Sequence, residues 1–298
     1  MRTQTIVSPF DGLPLSVAIT EPESTPKGII QFSHGMAEHK ERYFPFMEYL
    51  SRNGYLCVIH DHRGHGGSVR SEKDLGYFYT EDISAVVSDL HEVSTEIRRQ
   101  YPDLPLYLFS HSMGTLVARC YLKKYDADVE KVVLCGPPTE NKAVGLGLFL
   151  AKHSGKRNTL VPNRFLNGLA FSAFNKGLTG PNAWLSVNEE NVKQYNADPL
   201  CGFGFTTNGF INLFGLQKEA FRADDWKPAN PALPLFVIAG KEDPVIISEK
   251  KFAALLSFLR QVGYGSVSSK LYENKRHELL CETGREEIFV DVLHFLEG

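Results

Sequence analysis

The sequence predicts an α/β fold: a mostly parallel sheet covered on both faces by helices and interrupted by a helical insertion. Three observations predict it. Short, wholly apolar runs such as Lys27–Phe32, Tyr55–Ile59 and Leu235–Ala239 alternate with longer amphipathic stretches, as strands buried on both faces do. A serine stands where one such run meets a helical stretch, in Leu106–Thr115. The alternation then breaks from Pro137 to about Ala223, where strand signals are few and Gly, Asn and aromatic residues many.

Taken in order, Thr3–Ser8 and Leu15–Glu21 flank Asp11-Gly12, a hairpin signal. Lys27–Phe32 ends at Ser33-His34-Gly35, and Tyr55–Ile59 ends at a loop running from His60 to Gly67. Leu106–Phe109, Lys131–Leu134 and Leu235–Ala239 repeat the style, and Lys270–Glu273 is a weaker strand. Helices are expected at Arg42–Arg52, Thr80–Gln100, Met113–Lys124, Ser248–Gln261 and Arg285–Leu296. The second begins acidic (Glu81, Asp82) and ends basic (Arg98, Arg99), matching the helix dipole. Residues 1–137 and 224–298 therefore make one core domain, with 138–223 a helical cap inserted between two neighbouring strands. In such sheets working groups gather at the carboxyl ends of strands.

Composition excludes several classes. With 298 residues the chain is long enough to bury roughly 75% of its extended surface. At 43% apolar and 22% charged it is neither disordered nor fibrous. The net charge of −3 and the lack of a basic block argue against nucleic acid as partner. Five scattered cysteines (Cys57, Cys120, Cys135, Cys201, Cys281) fit free thiols in a reducing compartment. The start lacks the apolar segment of a secretory leader, so a cytoplasmic location is expected.

The chemistry-bearing feature is Phe109-Ser110-His111-Ser112-Met113-Gly114. A serine hydroxyl becomes a useful nucleophile when it is presented rigidly to a base and an oxyanion site. A strained strand-to-helix elbow does this and demands small residues two positions either side, here Ser110 and Gly114. An ordinary serine helix cap is the competing reading of Ser112, and Ser110 is the rival hydroxyl. An acid and a histidine must follow downstream. Asp243, just past Leu235–Ala239, suits the acid, with Glu242 the runner-up and Asp224 and Asp225 more distant. His277, after the last strand and before the last helix, suits the base. His294 lies within a helical pattern and suits packing or surface.

An oxyanion hole needs a second N–H from the loop after the third strand. In Ser33–His39 the donor is Met36, and the elbow supplies Met113. His34 and His39 are expected to brace loops. With His60, His62 and His65 they also suggest a metal cluster, but the spacing is not that of a zinc site, so no metal is expected. Asp61 and Arg63 are expected to pin their loop together.

These segments carry a resemblance. FSHGMAEHKERY, VIHDHRGHGGS, LFSHSMGTLVA, AGKEDPV, RHELL and WLSVNEENVKQYNADPLCGF resemble the monoacylglycerol lipase and lysophospholipase branch of the α/β-hydrolase fold, also grouped with serine aminopeptidases. The similarity runs from about Ser8 to Leu296. It implies an eight-stranded, mostly parallel sheet with an inserted helical cap, Ser112 as nucleophile, Asp243 as orienting acid, His277 as base, amide donors at Met36 and Met113, and no cofactor. Ser110 departs from the glycine usual at the first elbow position.

Three functions stay open on the sequence. The leading one is hydrolysis of carboxylic esters of small molecules or lipids, monoacylglycerols or lysophospholipids first. The second is a serine aminopeptidase or amidase, which needs acidic groups to hold an amine, with Glu189, Glu190 and Glu219 as candidates. The third is a binding protein without catalysis. The cap's apolar stretches Ala143–Ala151 and Phe165–Phe174 serve acyl chains, transient membrane contact, or simply packing on the core. Cys201 is expected either near the pocket or as a small buried residue.

Overall fold

The apolar runs pair side by side because their backbone groups, once buried, need partners. A computed structural model describes residues 1–298. Its eight strands are β1 (Arg2–Val7), β2 (Pro14–Thr20), β3 (Gly28–Ser33), β4 (Tyr55–His60), β5 (Leu106–His111), β6 (Lys131–Cys135), β7 (Leu235–Gly240) and β8 (Val267–Tyr272). They form one sheet in the order β1-β2-β4-β3-β5-β6-β7-β8. The predicted hairpin makes β1 and β2 antiparallel; β2 is also antiparallel to β4, and every other pair is parallel. β3, β4 and β7 are buried along their whole length, which explains why they read as continuous apolar runs.

The period of two in a strand sends alternate side chains to two cores. Ile29, Val58, Leu108 and Val237 pack with α2 (Ser84–Gln100), α3 (Met113–Tyr125) and α8 (Glu249–Gln261). Ile30, Ile59, Phe109 and Ile238 pack on the other face with α1 (Phe44–Arg52) and α9 (Glu286–Glu297). Between β6 and β7 lie four helices: α4 (Val144–Lys152), α5 (Arg164–Phe171), α6 (Glu189–Ala197) and α7 (Thr207–Ala220). The two strands they separate are hydrogen-bonded neighbours, Val132 opposite Leu235.

Three expectations shift. β8 starts three residues before the predicted Lys270, because its exposed Ser268 and Ser269 hide an edge strand behind polar residues. α2 starts at Ser84 rather than Thr80, with the Asp82 carboxylate accepting from the Ser84 N–H at 2.9 Å. Asp61 and Arg63 do not pair. Arg63 is buried against Asp89 at 2.7 Å and Asp11 at 3.1 Å, while Asp61 takes the Lys40 ammonium at 2.7 Å. The sheet brings Asp89 of α2 and the β1–β2 turn to Arg63, partners that local spacing does not reveal. No helix is long and apolar enough to cross a membrane.

Candidate active site

Ser112 joins β5 directly to α3 with φ 51° and ψ −119°. A non-glycine residue there stores on the order of 1–3 kcal/mol of strain, which the surrounding sheet and helix must hold. The tight turn leaves no room at Gly114, where a Cβ would lie 2.1 Å from the Ser33 carbonyl oxygen. At the other small position a side chain does fit: Ser110 is fully buried and its Oγ donates to the Val133 carbonyl at 3.0 Å. That bond occupies the rival hydroxyl in the sheet.

The chain brings three distant residues to this point. His277 Nε2 is 2.8 Å from Ser112 Oγ, and its Nδ1 is 2.9 Å from Asp243 Oδ2. The other Asp243 oxygen accepts from the Val245 N–H at 2.8 Å, which fixes the carboxylate's rotation. Asp243 follows the end of β7 and His277 the end of β8, so neighbouring strand ends set their separation. Both are almost fully buried. Glu242 is exposed and faces Arg276 at 3.6 Å; Asp224, Asp225 and His294 are exposed and elsewhere.

Met36 and Met113 line the same cavity as Ser112 and His277. Met113 is the first residue of α3, so its N–H belongs to the unpaired, positive end of the helix. The Met36 loop is braced from beneath. A Cβ at Gly35 would lie 2.5 Å from Glu38 Oε1 and 3.2 Å from Ser112 Cβ. The Glu38 carboxylate accepts from the Gly35 N–H at 2.5 Å, Tyr43 at 2.8 Å and Arg42 at 3.1 Å. Three histidines brace loops, His34 and His39 as expected and His65 besides. His34 Nε2 accepts from the His62 N–H at 2.8 Å, His65 Nε2 accepts from the Ala37 N–H at 3.2 Å, and His39 meets Asp198 at 2.9 Å. Burial pushes His60 and His65 down to about 3, so these rings are neutral and can accept as well as donate. His39, Asp198 and Cys201 also draw close to one another, but His39 and Asp198 already satisfy each other and burial pushes the Cys201 thiol up.

Several residues at the site escaped the sequence reading. The Trp184 ring lies over the His277 ring at 5.1 Å between centroids. Arg42 joins Glu38 to Glu278, the residue after His277. The i, i+4 spacing of Glu38 and Arg42 was the available signal. His111 faces two acceptors, with Nδ1 3.1 Å from Glu38 and Nε2 3.2 Å from the His277 carbonyl. A neutral imidazole has one N–H, so both contacts are hydrogen bonds only when His111 is an imidazolium. Burial opposes that charge, but the hydrogen bond and charge of Glu38 outweigh it and raise His111 above its ordinary 6.5. For Glu38, burial is outweighed by His111 and Arg42, which hold it below the usual carboxylate range. The raised His111 value means its stabilisation is complete below 6.5 and fades as pH climbs through the folded value. The lowered Glu38 value means the opposite sign: its share is present above 4.5 and is lost on acidification. Nitrogen NMR is therefore expected to show both His111 nitrogens protonated at pH 6.5, and the melting-temperature advantage over His111→Asn to shrink as pH rises above that point. A His111 ring with a single proton at pH 6.5 would contradict this.

The cavity above Ser112 holds about 350 Å³. Leu116, Val144, Phe171, Phe174, Leu213 and Phe214 make most of its wall apolar. Glu38 and Glu278 also reach it, but both are committed to Arg42. Glu189, Glu190 and Glu219 do not line it; Glu219 is held by Lys123 at 2.6 Å. Cys201 does not line the cavity; it is buried in a small cluster with Leu185 and Tyr195.

The chain matches the family of serine aminopeptidase, S33, over residues 24–284. It belongs to that family. Among curated relatives, rat monoglyceride lipase is 28% identical over 288 residues, 95% of this chain and 86% of its own length. The monoacylglycerol lipase of Mycolicibacterium smegmatis is 26% identical over 286 residues, 96% and 93% of the two chains. Among solved structures, a highly thermostable carboxyl esterase from Bacillus coagulans in complex with glycerol superposes with a TM-score of 0.90 at 25% identity. That alignment covers 100% of this chain and 98% of the esterase. The eight-stranded sheet of this S33 member is thus the α/β-hydrolase fold.

Proposed function

We propose that this chain is a serine ester hydrolase of the monoacylglycerol lipase type, working through an acyl-enzyme. The observation that supports it is the Asp243–His277–Ser112 hydrogen-bond chain opening onto an apolar cavity. In this reading Ser112 Oγ attacks the ester carbonyl while His277 Nε2 takes its proton, and Asp243 holds the ring and balances the imidazolium. The carbonyl oxygen becomes an oxyanion between the Met36 and Met113 amides. The C–O bond to the alcohol breaks, and the alcohol leaves with the proton from His277. Water, deprotonated by His277, then attacks the acyl–Ser112 ester, freeing the acid and restoring the serine. The residues supply nucleophile, base and oxyanion site themselves.

Residues 138–223 act in this reading as the cap whose inner face receives the acyl chain. Curated relatives carry monoglyceride lipase activity in their names, and the apolar wall favours an acyl group over a charged amine. The peptidase alternative is weakened because the carboxylates lining the cavity are already paired, Glu278 with Arg42 and Glu38 with Arg42 and His111. Five free thiols suit a reducing, cytoplasmic setting. Turnover of p-nitrophenyl esters graded by chain length, set beside aminoacyl anilides and monoacylglycerols, tests the reading. Ester turnover is expected to exceed anilide turnover by several orders of magnitude; comparable or faster anilide cleavage would overturn it.

A further inference from the structure

His277 stands on a loop that follows β8, and β8 is the last strand of the sheet. No further strand holds that loop in place, yet proton transfer demands a base fixed to within about 0.5 Å. On the core side the turn after β7 steadies it: the Glu242 N–H donates to the Lys275 carbonyl at 3.0 Å, and Asp243 holds the imidazole. The other support comes from residues 183–187, which lie between α5 and α6. Arg276, just before His277, donates from its guanidinium to the Ala183 carbonyl at 2.8 Å and the Ser186 carbonyl at 3.2 Å. Glu278, just after it, donates its N–H to the Leu185 carbonyl at 2.8 Å. The Glu282 carboxylate bridges the two segments, accepting from the Arg276 N–H at 2.7 Å and the Ser186 hydroxyl at 2.8 Å. Both chain neighbours of His277 are thus tied to the inserted segment.

The same segment carries an aromatic ring to the imidazole. Trp184 lies in the short turn Ala183–Leu185, its ring 5.1 Å from that of His277 with the planes tilted by 39°. The ring is itself held. The Trp184 N–H donates to Asn175 Oδ1 at 3.1 Å, the Phe174 ring is 5.0 Å away, and Leu185 beside it is buried. Trp184 and His277 line the same cavity, so the indole takes space that water would otherwise occupy next to the base. The charged groups around the imidazole are of mixed sign. Asp243 accepts at Nδ1, and His111 lies 4.7 Å away between ring centroids with Glu38 on its far nitrogen. Arg276 and Glu278 turn away, one to the cap carbonyls and the other to Arg42. An imidazolium forming at His277 therefore meets one carboxylate and one like-charged ring. The face of an indole within about 6 Å attracts a cation, and it adds to the favourable side.

We infer that the cap segment 183–187 is a working part of the general base: its backbone clips the His277 loop, and Trp184 is a positioning residue that shields the imidazole and stabilises the imidazolium formed when Ser112 gives up its proton. The cap then does more than shape the acyl cavity, because the base is completed by a segment inserted between two strands of the core. The inference rests on the ester-hydrolase reading for the role of His277. The contact between the two rings stands without it.

The test reads fluorescence and turnover on the full chain. It contains two tryptophans, Trp184 and Trp226, so the emission lost in Trp184→Phe is that of Trp184. An imidazolium against an indole quenches its emission far more than a neutral ring does. The Trp184 emission is therefore expected to rise with pH in one step, at the same midpoint as the acid limb of kcat/KM for p-nitrophenyl butyrate, which reports the free base. The step should vanish in His277→Gln. Trp184→Leu keeps the site dry but removes the π face. It is expected to lower kcat roughly tenfold with KM within about twofold, and to move the acid limb down by about half a pH unit. Trp184→Phe, which restores an aromatic face, should recover most of both. No step in the wild-type emission, a step that survives in His277→Gln, or Trp184→Leu with wild-type kcat and an unmoved acid limb would overturn the inference. The fluorescence arm compares wild type with the Phe variant, so it decides the matter even where the Leu variant does not fold. A wild type that shows the step but hydrolyses no ester would instead sink the proposed function alone.

Discussion

Replacing Ser112 by Ala is expected to lower ester turnover on the order of 10⁶-fold while leaving the fold unchanged, since loss of the nucleophile in a serine triad has that scale. The hydroxyl is the only group removed, and His277 and Asp243 keep their own bond. Ser112→Gly makes a sharper comparison. It loses the same activity, but glycine occupies φ 51° without the steric cost that serine meets there. Its melting temperature is therefore expected to rise by the equivalent of about 1 kcal/mol. Gain of stability together with loss of turnover separates a strained, working serine from a helix cap. A cap would lose stability when its side chain is removed, and Ser112 makes no capping bond to the first turn of α3.

Asp243→Asn is expected to reduce turnover by about 10⁴-fold with only a modest change in substrate binding. The reason lies in the two oxygens. One accepts from the Val245 N–H, so the amide oxygen of asparagine settles there and the NH₂ turns toward His277. Nδ1 must then present its lone pair, which moves the ring proton to Nε2. That nitrogen faces Ser112 Oγ and can no longer take its proton. Assays of purified, folded Asp243→Asn check the value. Retention of a tenth or more of wild-type turnover would mean that the carboxylate does not orient the base. Glu242→Gln, on an exposed neighbour paired with Arg276, is the control and is expected to be near neutral.

The parts legible in the sequence share one property: they follow from local pattern. β3, β4 and β7 are wholly buried and read as apolar runs; Ser112 sits between a strand and a helix with Ser110 and Gly114 around it; Asp243 and His277 each come just after a strand end. What escaped depends on pairs that only the sheet brings together. His111 and Glu38 are 73 positions apart, Arg42 and Glu278 are 236 apart, and the Arg63–Asp89 pair replaced the local Asp61 partner the sequence suggested. Such pairs leave no periodic trace, because a single buried ion pair needs no repeat. The outer face of α4 and α5 was ambiguous for another reason. Apolar stretches look alike in sequence whether they pack inward or face out, and only the split between Val144, Gly147 and Ala151 on one side and Leu146, Phe149 and Leu150 on the other resolves it.

The central claim is that Ser112 is the nucleophile of an ester hydrolase, and covalent trapping tests it most directly. Folded wild-type protein treated with a fluorophosphonate and digested should carry one adduct, on the peptide that contains Ser112. The adduct should be absent from Ser112→Ala and formed far more slowly in His277→Ala. No adduct on the folded wild type, or an adduct on another residue that survives in Ser112→Ala, would contradict the account.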